Sequence, residues 1–281
     1  INDNMTISDT SALRFTGTQA YSFIAVYRPH TYQNSMIMSR YDQGNKGEYF
    51  LSLLTDGRVR NLREVSPYGL ISLSEYVPNN TMISTVTFDG DTLSHYLNGS
   101  LEVSGSFGSV ASNTLTFTVG AGWIEGGLSY LFDGEILEII FINDLLTSEE
   151  LTEIHYYLSK NWGLEATVDS DDDGYTDAEE LYYGTSPHDS LDTVTVDFSA
   201  ELDNYLGEST YQLDSVTQNM VLWLAADQIN PATDNIYLEE ASISRWLDIS
   251  GSGHNVIQLS TTNQPVLDTL TFDNTTTRNF L

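Results

Sequence analysis

Acidic side chains recur at a regular spacing within one short stretch of the chain, residues 169–180. Asp169, Asp171 and Asp173 occupy positions 1, 3 and 5 of that stretch, and Gly174 follows at position 6. Positions 7, 9 and 12 hold Tyr175, Asp177 and Glu180. A calcium ion takes roughly six to eight oxygen ligands, and this is the spacing that supplies them in an EF-hand-type loop, where glycine makes the sharp turn. The stretch therefore predicts a Ca²⁺ site formed by these residues, with Tyr175 contributing its backbone carbonyl.

A catalytic pair of carboxylates would indicate a different chemistry, because a glycoside hydrolase needs two of them roughly 5–9 Å apart. The tempting pair is Glu135 and Glu138. An odd separation along a strand sends two side chains to opposite faces of a sheet, so we expect these two not to cooperate. The sequence therefore predicts that the protein is not an enzyme.

The histidines show neither metal-ligand spacing nor the serine or cysteine partner that nucleophilic catalysis requires. We expect all of them to lie in turns and on the surface; they are His30, His95, His155, His188 and His254.

The charge of the chain restricts its partners. Forty acidic residues against ten basic ones give a net charge of −30, so nucleic acid and anionic membranes are excluded as favoured partners. No apolar run approaches the ~18 residues of a membrane-spanning helix, so we expect no membrane insertion. The chain begins with Ile1 rather than Met, which suggests a processed or excised piece, and its Thr- and Ser-rich, lysine-poor composition favours an extracellular location.

Short apolar strands separated by turn dipeptides such as Asn98-Gly99 fill residues 1–143. This even spacing is typical of an antiparallel sandwich. A capping box, Thr147 to Glu150, then predicts one helix that ends near Asn161-Trp162-Gly163. The expected strands include residues 22–27, 49–54, 82–88, 92–97, 115–119 and 134–141.

Two blocks of the chain resemble a known family. Residues 134–164 look like the closing strand and helix of bacterial laminin-G-like domains in the concanavalin A-like superfamily, which commonly end in a Trp-Gly pair. Residues 220–281 resemble the opening of the same kind of domain. The segments that carry this second resemblance are 222–227, 246–255, 264–265 and 271–273. In this resemblance Trp162, Trp223 and Trp246 belong to the core.

The calcium stretch resembles thrombospondin type 3 repeats, because its acidic loop is followed by the turn Gly184-Thr185-Ser186-Pro187. Taken together, the resemblances imply an all-β fold: an antiparallel β-sandwich of the jelly-roll, concanavalin A-like class, with one short C-terminal helix and a calcium-loop connector. The expected division is 1–164 for the main part of the sandwich, 165–217 for the connector and 218–281 for the opening strands.

The order of these blocks is reversed, since the opening block follows the strands that it should precede. Joining Leu281 to Ile1 restores the usual order, so 218–281 would complete 1–164 of the same or a neighbouring unit. A circular permutant, one period of a tandem array, and subunits that exchange terminal blocks all fit this pattern. A chain holding a whole domain and part of the next also fits. We favour a repeating assembly.

The sequence therefore predicts a non-enzymatic, extracellular structural or adhesive repeat that assembles head to tail into a calcium-stabilised fibre or tandem array, with itself as partner. The alternative is a carbohydrate-binding, lectin-like adhesin with glycans as partners. Its ligand would stack on loop aromatics, for which we select Trp123 and Tyr130, with Tyr68 and Tyr76 as further candidates.

Overall fold

The alternating apolar segments form strands in the computed structural model of the protein. It describes residues 4–7, 11–42, 47–65, 67–111, 114–125, 127–193, 220–225, 245–246, 255–257, 268–272 and 276–280. In chain order the strands are β1 (Met5–Ile7), β2 (Tyr21–Pro29), β3 (Ser35–Arg40), β4 (Tyr49–Leu53), β5 (Arg58–Arg63), β6 (Leu70–Glu75), β7 (Met82–Phe88), β8 (Thr92–Leu97), β9 (Ser100–Ser106), β10 (Phe117–Val119), β11 (Gly122–Ile124), β12 (Gly127–Ser129), β13 (Gly134–Ile142), β14 (Met220–Ala225), β15 (Arg245–Trp246), β16 (Val256–Ile257), β17 (Asp268–Phe272) and β18 (Thr276–Phe280). The helices are a 3₁₀ turn (Ser11–Leu13), α1 (Ser148–Trp162) and α2 (Asp177–Tyr183).

Two antiparallel sheets face each other and form the predicted sandwich. The first sheet has the strand order β15-β16-β1-β10-β3-β4-β5-β6, and the second has the order β14-β13-β2-β7-β8-β9. Two separate hairpins, β11–β12 and β17–β18, complete the strand pairing. The all-β, concanavalin A-like sandwich expected from the sequence is thereby confirmed.

The second sheet is apolar on both faces because both are covered. Along β2, Tyr21, Phe23 and Tyr27 point into the core between the sheets, while Ile24 and Val26 point outward toward α1. This alternation follows from the period of two along a strand. Apolar residues at successive positions of β2 and β13 therefore indicate a strand that is buried on both sides.

Helix α1 covers the outer face of the second sheet. Thr147 accepts a hydrogen bond from the backbone N–H of Glu150, whose side chain returns to the Thr147 N–H, as the capping box predicted. Gly163 ends the helix in the left-handed conformation, with φ of 65°. Trp162 is fully buried under the helix, and its indole N–H donates to Glu138 over 2.7 Å. Neither helix in the described residues is long and apolar enough to cross a membrane.

Strands from the C-terminal block join the same two sheets. Strand β14 pairs with β13, where Trp223 lies opposite Ile140, and β16 pairs with β1 at Thr6 and Ile257. The buried side chains of this block, Leu222, Leu224, Trp246 and Val256, belong to the core between the sheets. Residues 194–219, most of the second half of the predicted connector, lie outside the described part, and the division at 164 and 217 stays a prediction.

Candidate functional site

The calcium stretch is anchored to the sandwich at its first residue. Val168 is buried in the core under α1, and the N–H of Asp169 donates to the carbonyl of Asn98 over 3.0 Å. Asn98 and Gly99 form the turn between β8 and β9, both with positive φ, at 48° and 92°. A Cβ on Gly99 would lie 1.7 Å from the carbonyl oxygen of Asp169, so only glycine permits this approach.

Three of the predicted ligands converge. Carboxylate oxygens of Asp169, Asp171 and Asp173 lie within 4.8 Å of one another. Asp169 accepts hydrogen bonds from the backbone N–H groups of Asp173 (3.2 Å) and Gly174 (2.9 Å), which curl the loop around it. Gly174 has φ of 100°, as the turn at position 6 requires. The loop therefore gathers hard oxygen donors around a single point.

Several of these oxygens are buried without a hydrogen-bond donor. In the described part of the chain, both carboxylate oxygens of Asp171, both of Glu180 and one of Asp173 are shielded from solvent and unpaired. A buried acceptor that lacks a donor costs about 1–3 kcal/mol, and more when it is charged. A divalent cation held by Asp169, Asp171 and Asp173 would satisfy unpaired oxygens of Asp171 and Asp173, so the carboxylates that converge here fit the calcium ion that their spacing predicts.

The carboxylates also resist ionisation. Burial raises the pKa of Asp171 to about 6, and the neighbouring charges of Asp173 and Asp169 add to the shift. Burial likewise raises the pKa of Glu180 to about 8, with further contributions from Asp171, Asp173, Asp177 and Asp169. These shifts show that the negative charges are close together and poorly solvated, which is the electrostatic condition that favours cation binding.

Asp177 and Tyr175 do not belong to the group of converging carboxylates formed by Asp169, Asp171 and Asp173. Asp177 is fully buried and accepts hydrogen bonds from the N–H and the hydroxyl of Ser170, both at 3.0 Å. Asp177 therefore stabilises the loop through these internal hydrogen bonds. The residue at position 9 of an EF-hand-type loop often contacts the ion through a water molecule. The N–H of Tyr175 donates to Asp173 over 2.9 Å. The ligand roles of Asp177, Tyr175 and Glu180 stay predictions.

A second candidate site lies on the outer face of the first sheet. Leu51 of β4 and Val59 of β5 point into the core, so the residues beside them point away from it. Pairing between the strands places Met36 opposite Ser52, and Ser52 opposite Arg60. Phe50 and Leu62 form a neighbouring pair and cluster with Met36. The outward face of the first sheet therefore carries an apolar patch together with a serine and an arginine.

The hairpin β11–β12 and the residue after it border one side of this face. Tyr130 packs against the apolar patch, and its carbonyl accepts from the N–H of Met36 over 2.8 Å. Gly122 leaves room for the side chain of Met36, because a Cβ there would lie 2.2 Å from the Met36 sulfur. The result is a groove of about 260 Å³, which we call the outer groove. It is lined by Asn34, Ser35, Met36, Tyr41, Phe50, Ser52, Leu53, Leu54, Arg60, Leu62 and Tyr130.

Aromatic rings and a guanidinium give the outer groove its chemistry. Tyr41 meets Phe50 edge to face at 5.1 Å between ring centroids, and the guanidinium of Arg60 lies 5.3 Å from the centre of the Phe50 ring. Asn34 adds an amide at the rim. The outer groove thus combines apolar and aromatic side chains with polar groups, as small-molecule sites do.

The structure separates the aromatics selected from sequence. Tyr130 lines the outer groove, whereas Trp123 lies outside its lining, half-buried, with its indole N–H donating to Thr118 over 2.9 Å. The expectation for Tyr76 is wrong, because this residue is 2% exposed and belongs to the core. Tyr68 is 51% exposed but does not line the outer groove.

Sequence reasoning missed Tyr41, Phe50 and Arg60. A partial signal existed in the alternation of Phe50 with Ser52 and of Arg60 with Leu62, which marks a strand face bearing both apolar and polar groups. The pairing of β4 with β5 that brings these residues together depends on register, which the sequence does not display.

The predicted separation of Glu135 and Glu138 onto opposite faces is wrong. A bulge between Ile136 and Glu138 inserts one extra residue, so both carboxylates point to the outer face of the second sheet. Each nevertheless has a partner: Glu135 is 2.7 Å from the guanidinium of Arg28, and Glu138 accepts from Trp162.

The prediction that the histidines lie on the surface is wrong for two of them. His95 and His155 are buried, and burial lowers the pKa of each to about 4. His155 lies 2.9 Å from the hydroxyl of Thr85 beneath α1. His30 is exposed beside Glu135, His188 is half-buried, and His254 lies outside the described residues.

Comparison with known protein families assigns the chain to a superfamily. A profile described as the concanavalin A-like lectin/glucanases superfamily matches residues 2–152, just over half of the chain. The chain belongs to this superfamily. A search of curated proteins finds no match.

Solved structures share the concanavalin A-like fold at low sequence identity. A putative carbohydrate binding protein from Bacteroides ovatus is 12% identical, with a TM-score of 0.51 over 92% of this chain and 56% of that one. The CBM40 of the Ruminococcus gnavus IT-sialidase is 16% identical, with a TM-score of 0.45 over 54% of this chain and 91% of that one. A heptameric SAP-like pentraxin from Limulus polyphemus is 15% identical, with a TM-score of 0.39 over 51% and 71%.

Proposed function

We propose that this superfamily member is a non-enzymatic carbohydrate-binding domain whose ligand site is the outer groove. The observation that carries the proposal is the concave, aromatic-lined surface formed by Tyr41, Phe50 and Tyr130 beside Arg60 and Asn34. Sugar rings present polarised C–H groups that pack on the negative faces of aromatic rings, while their hydroxyls bond to planar polar side chains.

The size of the outer groove limits what it can hold. Its volume of about 260 Å³ is below the ~300–1,000 Å³ of pockets that enclose drug-sized ligands. We therefore expect it to receive a terminal sugar or a short segment of a glycan chain, with the rest of the ligand in solvent.

Hydrolysis of the bound sugar is not part of the proposal. Glycoside hydrolases place two carboxylates across the scissile bond, and the residues that line the outer groove include neither Asp nor Glu. The two buried glutamates of β13, Glu135 and Glu138, lie on the other sheet and are already paired.

The similarity to carbohydrate-binding proteins favours this function over the self-assembling fibre. Strand β14 pairs with β13 of the same chain, so a second copy of the protein is not needed to supply this strand of the sheet. Head-to-tail assembly into a fibre or tandem array stays a prediction.

We also propose that Ca²⁺ binds at residues 169–180 and stabilises their contact with the sandwich. Asp169, Asp171, Asp173 and Glu180 would supply carboxylates and Tyr175 a carbonyl; the buried, unpaired oxygens support this. Calcium-binding modules of extracellular proteins work at roughly 10⁻⁴–10⁻³ M calcium, in keeping with the extracellular location that we propose.

Binding to a glycan array, measured in the presence of calcium, tests the function. The wild type is expected to retain a defined set of glycans, and Tyr130→Asn is expected to lose them. Asparagine removes the ring but tolerates the left-handed φ of 50° at this position. Tyr182→Ala, which removes an exposed tyrosine of α2 outside the outer groove, is the control and should bind as the wild type does. An array on which the wild type binds nothing would refute the proposed function.

A further inference from the structure

One cation of the outer groove has no carboxylate partner, although acidic residues outnumber basic ones forty to ten. Arg60 makes no ion pair within 4 Å to any residue that the structure describes. Four other cations of the described chain are paired with acidic residues: Arg28 with Glu135, Arg40 with Glu48, Arg58 with Asp56 and Lys160 with Glu165. Arg63 also has no ion pair in the described residues, but it is buried and donates to the backbone carbonyls of Phe15, Gly17 and Gly108. Among the residues that line the outer groove, Arg60 is the one with a charged side chain, and no neighbouring carboxylate of the described chain neutralises it.

The position of Arg60 presents its guanidinium to a ligand. The side chain is half-buried and packs over Phe50, and one of its N–H groups makes a long hydrogen bond of 3.4 Å to the carbonyl of Tyr68. Within the described residues the rest of its five N–H donors are left without a protein acceptor. Contact with the Phe50 ring restrains the guanidinium, which lines the outer groove and keeps donors for a ligand.

We infer that the saccharide taken up by the outer groove is acidic, and that Arg60 binds its carboxylate. This inference rests on the proposed carbohydrate-binding function. A guanidinium and a carboxylate form two parallel N–H···O bonds, which gives both strength and orientation. The sugar ring that carries the carboxylate then packs against the half-buried Tyr41 and Tyr130, while Phe50 lies buried beneath Arg60. A uronic acid or a sialic acid has this combination of ring and charge.

The net charge of −30 does not prevent such binding. Charges beyond about 8 Å are largely screened at physiological ionic strength, whereas a bidentate pair in contact is not. Two acidic side chains act on this region: burial raises the pKa of Tyr41, the charges of Glu64 and Asp42 raise it further, and Arg60 lowers it. Within the described residues no ion pair joins either carboxylate to Arg60, so the guanidinium keeps its charge available.

Matched acidic and neutral sugars test the inference on the full chain by calorimetric titration in constant calcium. Trigalacturonic acid is compared with its methyl ester, and sialyllactose with lactose. At least one acidic member should bind more tightly than its neutral counterpart, and Arg60→Gln should weaken that binding about tenfold or more. Arg60→Lys should recover only part of the loss, because an ammonium cannot form the bidentate pair.

Arg58→Gln is the matched control. Arg58 lies two residues away on the same face of β5, but its guanidinium is already held by Asp56 at 2.6 Å and does not line the outer groove. This variant removes the same charge and should leave binding unchanged. If Arg60→Gln and Arg58→Gln weakened binding equally, the effect would come from the loss of one positive charge at any nearby position, and the inference would be overturned.

The remaining outcomes distinguish a failure of the acidic specificity from a failure of the carbohydrate-binding function. Tight binding of neutral glycans that Arg60→Gln leaves unchanged would keep the carbohydrate-binding function and overturn the acidic specificity. Absence of binding to every saccharide, on the array and in titration, would overturn both.

Discussion

Substituting Gly99 by alanine should both destabilise the protein and weaken the calcium site that we propose at residues 169–180. Gly99 lies in the β8–β9 turn with φ of 92°, and a Cβ there would lie 1.7 Å from the carbonyl oxygen of Asp169. The first residue of the calcium stretch therefore cannot keep its place against the turn when this position carries a side chain.

The structure allows the size of the effect to be worked out. The left-handed backbone costs alanine roughly 1–2 kcal/mol relative to glycine. Relieving the steric overlap moves Asp169 away from Asn98 and loses the 3.0 Å hydrogen bond between them, which is worth about 1 kcal/mol net. The free energy of unfolding should therefore fall by about 2–3 kcal/mol.

Thermal melts in calcium, followed by circular dichroism, measure this change against Gly17→Ala. Gly17 also has positive φ, 65°, but a Cβ there meets nothing within 4 Å, so this control carries the backbone cost alone. Gly99→Ala should melt below the control by roughly 2–4 °C for each additional kcal/mol. It should also bind calcium more weakly, whereas Gly17→Ala should not. Equal melting temperatures and equal calcium affinities would refute the reasoning.

Further predictions concern the calcium site and the buried glutamate beneath α1. Calcium at a hundredfold excess over its Kd should raise stability by about 2.7 kcal/mol, and chelation should lower Tm by roughly 5–11 °C, a shift that scanning calorimetry measures. In chelator, Tm should be higher at pH 7 than at pH 9: with a pKa of about 8, Glu180 in the folded protein binds a proton that the unfolded chain releases near pH ~4, so stability falls as the pH rises through that window. Both pH values lie above the range in which the buried His95 and His155, with pKa values of about 4, make stability rise with pH. Saturating calcium should reverse this order, because the ion binds the deprotonated ligands, and a higher Tm at pH 9 in chelator would contradict the assignment. Glu138→Ala should destabilise by about 1–3 kcal/mol in urea unfolding, since the indole of Trp162 loses its buried acceptor, whereas the exposed Glu149→Ala should change little.

Local patterns carried the parts of the fold that could be predicted. The apolar runs of β2 and β7, the turn at Asn98-Gly99 and the capping box at Thr147 each depend on neighbours a few residues away. The convergence of Asp169, Asp171 and Asp173 is local in the same way, because one continuous segment contributes all three carboxylates; calcium binding itself stays a prediction.

Features that depend on contacts between distant segments could not be predicted. The outer groove exists because β3, β4 and β5 pair in one register and Tyr130 returns to cover Met36. Contact between Asp169 and Asn98 joins residues that are far apart in the sequence. The bulge that brings Glu135 and Glu138 to one face is an extra residue whose position depends on packing, not on any local signal.

The most direct test of the account is a crystal structure of the protein with the glycan that ranks first on the array. We predict a sugar ring packed against Tyr41 and Tyr130 in the outer groove, within hydrogen-bonding distance of Arg60. A sugar bound elsewhere, such as beside Trp123 or along the edge of the second sheet, with the outer groove empty, would contradict it.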